Sequence, residues 1–313
     1  MKPNSTLRVK SFFLLVGNIM IALFLIAGPA LSQSRIIDMH VHSYSENDFG
    51  EREPSSDFYG NKGAANAEEH LKETFEAFRK WNIVKAAVSG NPESVEHWAA
   101  HDPDRVIRGL LIFSPDDYGL DSIQFEKMIL DKKIEVFGEI GAYYSGTTLS
   151  DEIWQPYLRL CEKYDIPVAV HTGGGDPGGT YSWSPKARLI KGDPYLIEDV
   201  LVNYPKLRIY LMHNGGEEWH EHALRMMAYY PQLYTDIAVM LWVEPNTQRT
   251  VTEFLKNAQH AGYLDRVMFG SDQMVWPQAI EQSIQFLNSL DFLSTEEKEG
   301  IFYDNAARFL KIK

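Results

Sequence analysis

A single cysteine, Cys161, stands in 313 residues, so no intrachain disulfide can staple this fold. Positive charge is also scarce. Thirty Lys and Arg against 43 Asp and Glu give a formal net charge of −13, which argues against the basic face that nucleic-acid binding requires. No Pro- or Gly-rich linker divides the chain, and no repeat of solenoid period runs through it. The first strand-to-helix junction lacks a Gly-rich phosphate loop, which disfavours an open, doubly wound dinucleotide fold. What the sequence does hold is a 44% hydrophobic content, enough to bury a large core without covalent help. Cys161 itself sits in Arg159-Leu160-Cys161-Glu162-Lys163, a helical context in which a buried, inert thiol is expected.

One long apolar run exists, and it is N-terminal. Lys2, Arg8 and Lys10 precede a mostly apolar stretch from Ser11 to Ala27, and Gly28-Pro29-Ala30-Leu31-Ser32 supplies small residues for cleavage. Residues 1–32 are therefore expected to be a secretory signal peptide, with an uncleaved membrane anchor as the alternative. Cleavage after Ser32 removes those three cations and no acid, moving the formal charge from −13 to −16. The mature protein, residues 33–313, is then exported, periplasmic or secreted, with no lasting membrane anchor.

From Arg35 onward, short β-rich runs alternate with amphipathic segments, the pattern of βα units around a parallel sheet. The runs are Ile36–His42, Ile83–Val88, Val106–Phe113, Val136–Ile140, Pro167–His171, Arg208–His213, Leu233–Val239 and Val267–Ser271. Helical spacing follows each, as in Glu68–Trp81 with Leu71, Phe75 and Phe78 on one face. Eight such units predict an α/β fold of the (β/α)₈ TIM-barrel type, as a single domain after the leader.

In such a barrel the C-terminal strand ends share one mouth, where active sites gather. The ends here carry a consistent chemistry. His40 and His42 flank Val41 and point to one face of the first strand, because alternate strand residues share a face. Glu139, His171, His213 and Asp272 end the fourth, fifth, sixth and eighth runs. Each alone has a plain structural reading, and Asp272 could serve only as a helix N-cap. Together they form an imidazole-and-carboxylate set with no thiolate, suited to Zn²⁺ or another first-row divalent ion, Mn²⁺ included.

These stretches, His40-Val41-His42, Gly138-Glu139-Ile140-Gly141, Val170-His171-Thr172-Gly173, Met212-His213-Asn214-Gly215 and Phe269-Gly270-Ser271-Asp272, together resemble the amidohydrolase superfamily. The likeness is greatest to its amidohydrolase-related branch, which includes aminocarboxymuconate-semialdehyde decarboxylase. It runs in order from Ile36 to the Asn305-Ala306-Ala307-Arg308-Phe309 tail. The resemblance implies a metal held by His40, His42, Glu139, His171 and Asp272. His213 is then a second-metal ligand or an unligated base and electrophile. The lysine that some binuclear members carry on the fourth strand is missing, so one ion is preferred over two. A further resemblance, through Gly138-Glu139-Ile140-Gly141, is to TatD-like metal-dependent DNases; the acidic charge and the leader argue against it.

The expected activity is metal-dependent hydrolysis of an amide, ester or lactone in a small molecule. Asp272 would move the water's proton and His213 would polarise the carbonyl. Decarboxylation on the same barrel is the alternative, and an idle extracytoplasmic binding protein a third reading. For the substrate, Arg188 or Lys186 in the Gly173–Gly192 loop would bind a carboxylate, and Tyr143, Tyr144 and Trp276 would line the pocket. No nucleic-acid partner is expected; homo-oligomerisation is open to the chain. Glu217-Glu218-Trp219-His220-Glu221-His222 is rich in metal-type side chains but reads as the solvated first turn of a helix.

Overall fold

The computed structural model describes residues 34–49 and 58–312. The expected signal peptide therefore lies outside the described residues. Among those residues, no helix is long and apolar enough to cross a membrane.

Eight parallel strands are present in chain order: β1 Ile36–His42, β2 Ile83–Ser89, β3 Val106–Arg108, β4 Phe137–Ile140, β5 Val168–His171, β6 Ile209–Met212, β7 Leu233–Asp236 and β8 Val267–Met268. Regular ladders join β1 to β3 and β4 to β8. Backbone bonds beyond the ladders close both gaps. Leu110 and Ile112 donate to the carbonyls of Gly138 (2.8 Å) and Glu139 (2.9 Å), joining the β3 side to β4. Met39 donates to Phe269 (3.0 Å) and Asp272 donates to His40 (2.8 Å), joining β1 to the β8 side. The result is a TIM barrel.

Helices follow the strands for reasons written in their first turns. Asn66 caps helix Ala67–Lys80 by accepting from the Glu69 N–H, and Asn91 does the same for Pro92–His101 through Ser94. Their inner faces bring Leu71, Phe75, Phe78 and Trp98 onto the outward residues Ile36, Val41 and Val88. Each large apolar side chain so covered contributes roughly 1.5–3 kcal/mol of transfer free energy.

Three strands are shorter than their apolar runs. β3 stops at Arg108, β7 at Asp236 and β8 at Met268, where the runs continue to Phe113, Val239 and Ser271. Side chains replace the ladder at two of these ends. Asp236 Oδ1 accepts from the N–H groups of His213 (2.8 Å) and Ala238 (3.1 Å), and Asp38 Oδ1 accepts from Ser271 (2.9 Å). After β3, Gly109 lies where a Cβ would come within 2.7 Å of the Val88 carbonyl oxygen and 2.8 Å of that of Gly138. The expected helix over Pro194–Asn203 divides into a tight turn, Pro194–Ile197, and a short helix, Glu198–Asn203.

Inside the barrel, the base is apolar: Ile37, Met39, Ile107, Val136, Ala169, Tyr210, Met212 and Met268 form one cluster. The C-terminal helix Asn305–Leu310 joins it through Ala306, Ala307 and Phe309. Above this plug the interior turns polar, and the site begins.

Candidate metal centre

Strict alternation along β1 would send Met39 and His40 to opposite faces. The pairing of β1 with β2 is irregular between Asp38 and Val41, so Met39 joins the interior plug while His40 and His42 both look into the mouth. A similar register shift lies between Phe137 and Ile140 of β4, beside Glu139. His213 and Asp272 lie just past β6 and β8 with φ of 64° and 47°, a left-handed backbone that non-glycine residues seldom adopt.

All six strand-end residues converge and all are buried. His42 Nε2 lies 3.3 Å from His40 Nε2, 3.2 Å from Glu139 Oε2 and 3.0 Å from Asp272 Oδ1. His40 Nε2 lies 3.5 Å from the same Glu139 oxygen and 3.7 Å from Asp272 Oδ1. Glu139 turns its other oxygen the opposite way, with Oε1 2.7 Å from His171 Nδ1 and 3.8 Å from His213 Nε2. One carboxylate thus faces two pairs of imidazoles.

These residues fit a divalent ion. Ligands about 2.0–2.2 Å from a tetrahedral metal stand about 3.3–3.6 Å apart, and the five separations above, 3.0 to 3.7 Å, bracket that spacing. Asp272 Oδ1 and His42 Nδ1 are buried without a hydrogen-bond partner. The electrostatics make the same demand. Burial pulls the His42 imidazole down, but the Asp272 and Glu139 carboxylates outweigh it and hold the group at about 9. His40 is likewise held well above its usual value against its own burial. Burial would raise Asp272, yet His40 and His42 draw it to about 2. The cavity therefore calls for positive charge, either as protons on imidazoles or as a cation that displaces them.

Three supporting residues were not singled out from the sequence. Asp236 Oδ2 lies 3.3 Å from His40 Nδ1, at ion-pair distance although no hydrogen bond is formed, and so faces the nitrogen opposite the one that looks into the site. Its place at the end of β7 repeats the pattern of the other strand ends, which was signal enough to find it. Gln273 clasps the His42 backbone, accepting its N–H through Oε1 (2.9 Å) and donating to its carbonyl through Nε2 (2.8 Å). Tyr44, two residues after His42, lays its ring near that imidazole at 5.8 Å and 23°.

The expected substrate residues are placed unevenly. Tyr143 is buried with its ring 5.7 Å from that of His171, and Tyr144 is nearer, at 4.8 Å. Trp276 packs on Phe58 (4.7 Å) and Trp242 (6.0 Å). Trp242 in turn donates its indole N–H to the Ser271 carbonyl, beside Asp272. Arg188 and Lys186 are exposed, and Arg188 Nη1 donates to the loop's own carbonyls at Pro185 (3.0 Å) and Ala187 (2.6 Å). The structure does not bring either cation among the strand-end residues. In helix Gly216–Tyr229, Glu218 accepts from the Gly174 N–H (3.2 Å) and His222 meets Asp193 (2.9 Å), ties that hold the Gly173–Gly192 loop and the segment after it.

A family model described as amidohydrolase matches residues 37–312. No curated protein matches the sequence. Among solved structures, the chain is similar to an uncharacterized TIM-barrel protein from Bordetella bronchiseptica, with 21% identity, a TM-score of 0.67, and 88% of this chain and 98% of that one covered. It is also similar to a probable 2-pyrone-4,6-dicarboxylic acid hydrolase from Acinetobacter baumannii (14% identity, TM-score 0.61, covering 89% and 100%). A third likeness is to 5-carboxyvanillate decarboxylase from Sphingomonas paucimobilis (14% identity, TM-score 0.57, covering 90% and 100%). At these identities the likenesses speak for the fold.

Proposed function

The chain belongs to the amidohydrolase family, and from that premise we propose that it is a metal-dependent hydrolase of an amide, ester or lactone in a small molecule. The observation that carries this reading is the spacing of His40, His42, Asp272 and Glu139, four donors set as one divalent ion would set them. These four would hold the ion, Zn²⁺ by choice of ligand type and Mn²⁺ as the alternative. Such an ion supplies a water of pKa near 7 and polarises a carbonyl.

The protein's own residues do the rest. Asp272 is positioned to take a proton beside the ion and return it to the leaving group. His213, whose Nδ1 is 3.9 Å from Asp272 Oδ2, stands on the side where a carbonyl oxygen would gain charge. His171 is steadied by Glu139 and by the Gly174 carbonyl (3.2 Å), which ties the rim loop to the centre. We place the enzyme outside the cytoplasm, on the leader-like pattern of residues 1–32.

The test is metal analysis of the purified protein, then loss of activity on chelation and recovery with Zn²⁺ or Mn²⁺ on an amide, ester and lactone panel. Incorporation of ¹⁸O from water into product is the expected result. Release of CO₂ without ¹⁸O incorporation would replace hydrolysis with decarboxylation.

A further inference from the structure

Beside the candidate centre, toward the loop that follows β5, lies a small cavity with an unusual lining. Tyr143, Tyr144, Asp176, Thr180, Trp183 and Ser184 contribute to it. The Tyr144 ring is the partition: it lies 4.8 Å from His171, 4.8 Å from Trp183 and 5.2 Å from Phe113. Gly175 presses on that ring so closely that a Cβ would come within 2.6 Å of it, which brings the Asp176 backbone to the ring's edge. The Trp183 indole is packed in the same way against Gly179, where a Cβ would lie 3.4 Å away.

The polar content of the cavity has one sign. The Asp176 side chain makes no hydrogen bond or ion pair among the described residues, and no Lys or Arg lines the cavity. Nearby, Glu218 faces the Gly174 N–H, and the two loop cations considered above are turned to solvent or to their own backbone. Two aromatic faces and an unpaired carboxylate favour a cation, through the ring quadrupoles and through simple charge attraction. They oppose a carboxylate in the same place.

We propose that the Tyr144–Trp183–Asp176 cavity is a subsite for an ammonium-type group, so that the substrate carries a cationic nitrogen one ring's width from the bond that is cleaved. This rests on the reading of the barrel mouth as the reaction site. It replaces the expectation that Arg188 or Lys186 clamps a substrate carboxylate.

The experiment compares isosteres that differ only in charge. Choline and 3,3-dimethylbutan-1-ol are titrated into the metal-loaded protein by calorimetry, with benzoate as the anionic control. Choline is expected to bind about tenfold more tightly than the alcohol. The Asp176→Asn variant, isosteric and on the surface, should lose most of that preference and leave the alcohol unchanged. Trp183→Leu should weaken choline as well. Equal binding of choline and the alcohol, an unaltered preference in Asp176→Asn, or tighter binding of benzoate than of choline would overturn the subsite. Metal content measured on the same samples separates the two ideas. A fully loaded protein without choline preference sinks only the subsite, whereas a choline preference in protein that takes up no metal sinks the hydrolase reading.

Discussion

The two ends of the barrel interior obey opposite rules. At the base, Ile37, Met39, Tyr210 and Met212 meet Ala306, Ala307 and Phe309 in a dry, apolar plug. At the mouth, within the same strands, His40, His42, Glu139, His171, His213 and Asp272 are buried together, with left-handed backbone at His213 and Asp272. The base gains stability from transfer of apolar surface. The mouth gives stability up, because buried charges and unusual dihedrals each cost free energy. That contrast teaches where the fold is secured and where it is set up to react.

The contrast can be broken in order of force. Asp272→Asn should lower turnover by about 10²–10⁴-fold, the range for a positioned acid–base group, and should lower metal content, while the melting temperature of the metal-free protein hardly falls. Phe309→Ala, in contrast, should cost about 3–5 kcal/mol in denaturant melts and leave the metal stoichiometry of the folded fraction unchanged. If Phe309→Ala emptied the metal site in protein that was still folded, the two ends would not be separable.

Asp236→Asn tests the layer between them. An amide there can donate to His40 Nδ1 where a carboxylate only accepts, pushing the ring's proton to Nε2 and toward the ion. Metal affinity is expected to drop about 10–100-fold by competition with a chelating dye. The mildest probe is pH. His42 is held at about 9 in the folded, metal-free protein against 6.5 for an ordinary imidazole. Its contribution to stability is thus full below pH 6.5 and is lost as the pH rises through 9. Melting of the metal-free protein should fall over that window, by several degrees, and the zinc-loaded protein should not follow it. A flat profile without metal would mean that the His42–Asp272 contact is weaker than its 3.0 Å separation implies.

Much of this was legible beforehand because parallel strands announce themselves by composition. The eight strands and the helices after them follow from apolar periodicity, and the strand-end residues stand out because charge is unusual there. What hid was whatever departs from periodicity. The irregular register between Asp38 and Val41 lets Met39 and His40 share the interior, which a strict two-residue alternation denies. Asp236 was passed over because a lone carboxylate after Thr235 gives no hint that it will cap two N–H groups and face His40. Arg188 and Lys186 misled for the opposite reason: a cation's position in sequence says little about where a long, flexible side chain turns. The leader at residues 1–32 lies outside the described residues.

The closing of β8 onto β1 also has a consequence for how the molecule is made. Asp272 donates its backbone N–H to His40, and Ser271 donates to Asp38 across 233 residues of chain. The N-terminal half of a growing chain already holds His40, His42, Glu139 and His171, yet it has neither the eighth-strand carboxylate nor the helix that plugs the base. Contacts of such long sequence separation form late, after the entropy of closing the intervening chain has been overcome. A nascent or truncated chain would therefore present loose imidazoles rather than a finished centre. The last residues to be synthesised decide when the first ones can hold an ion.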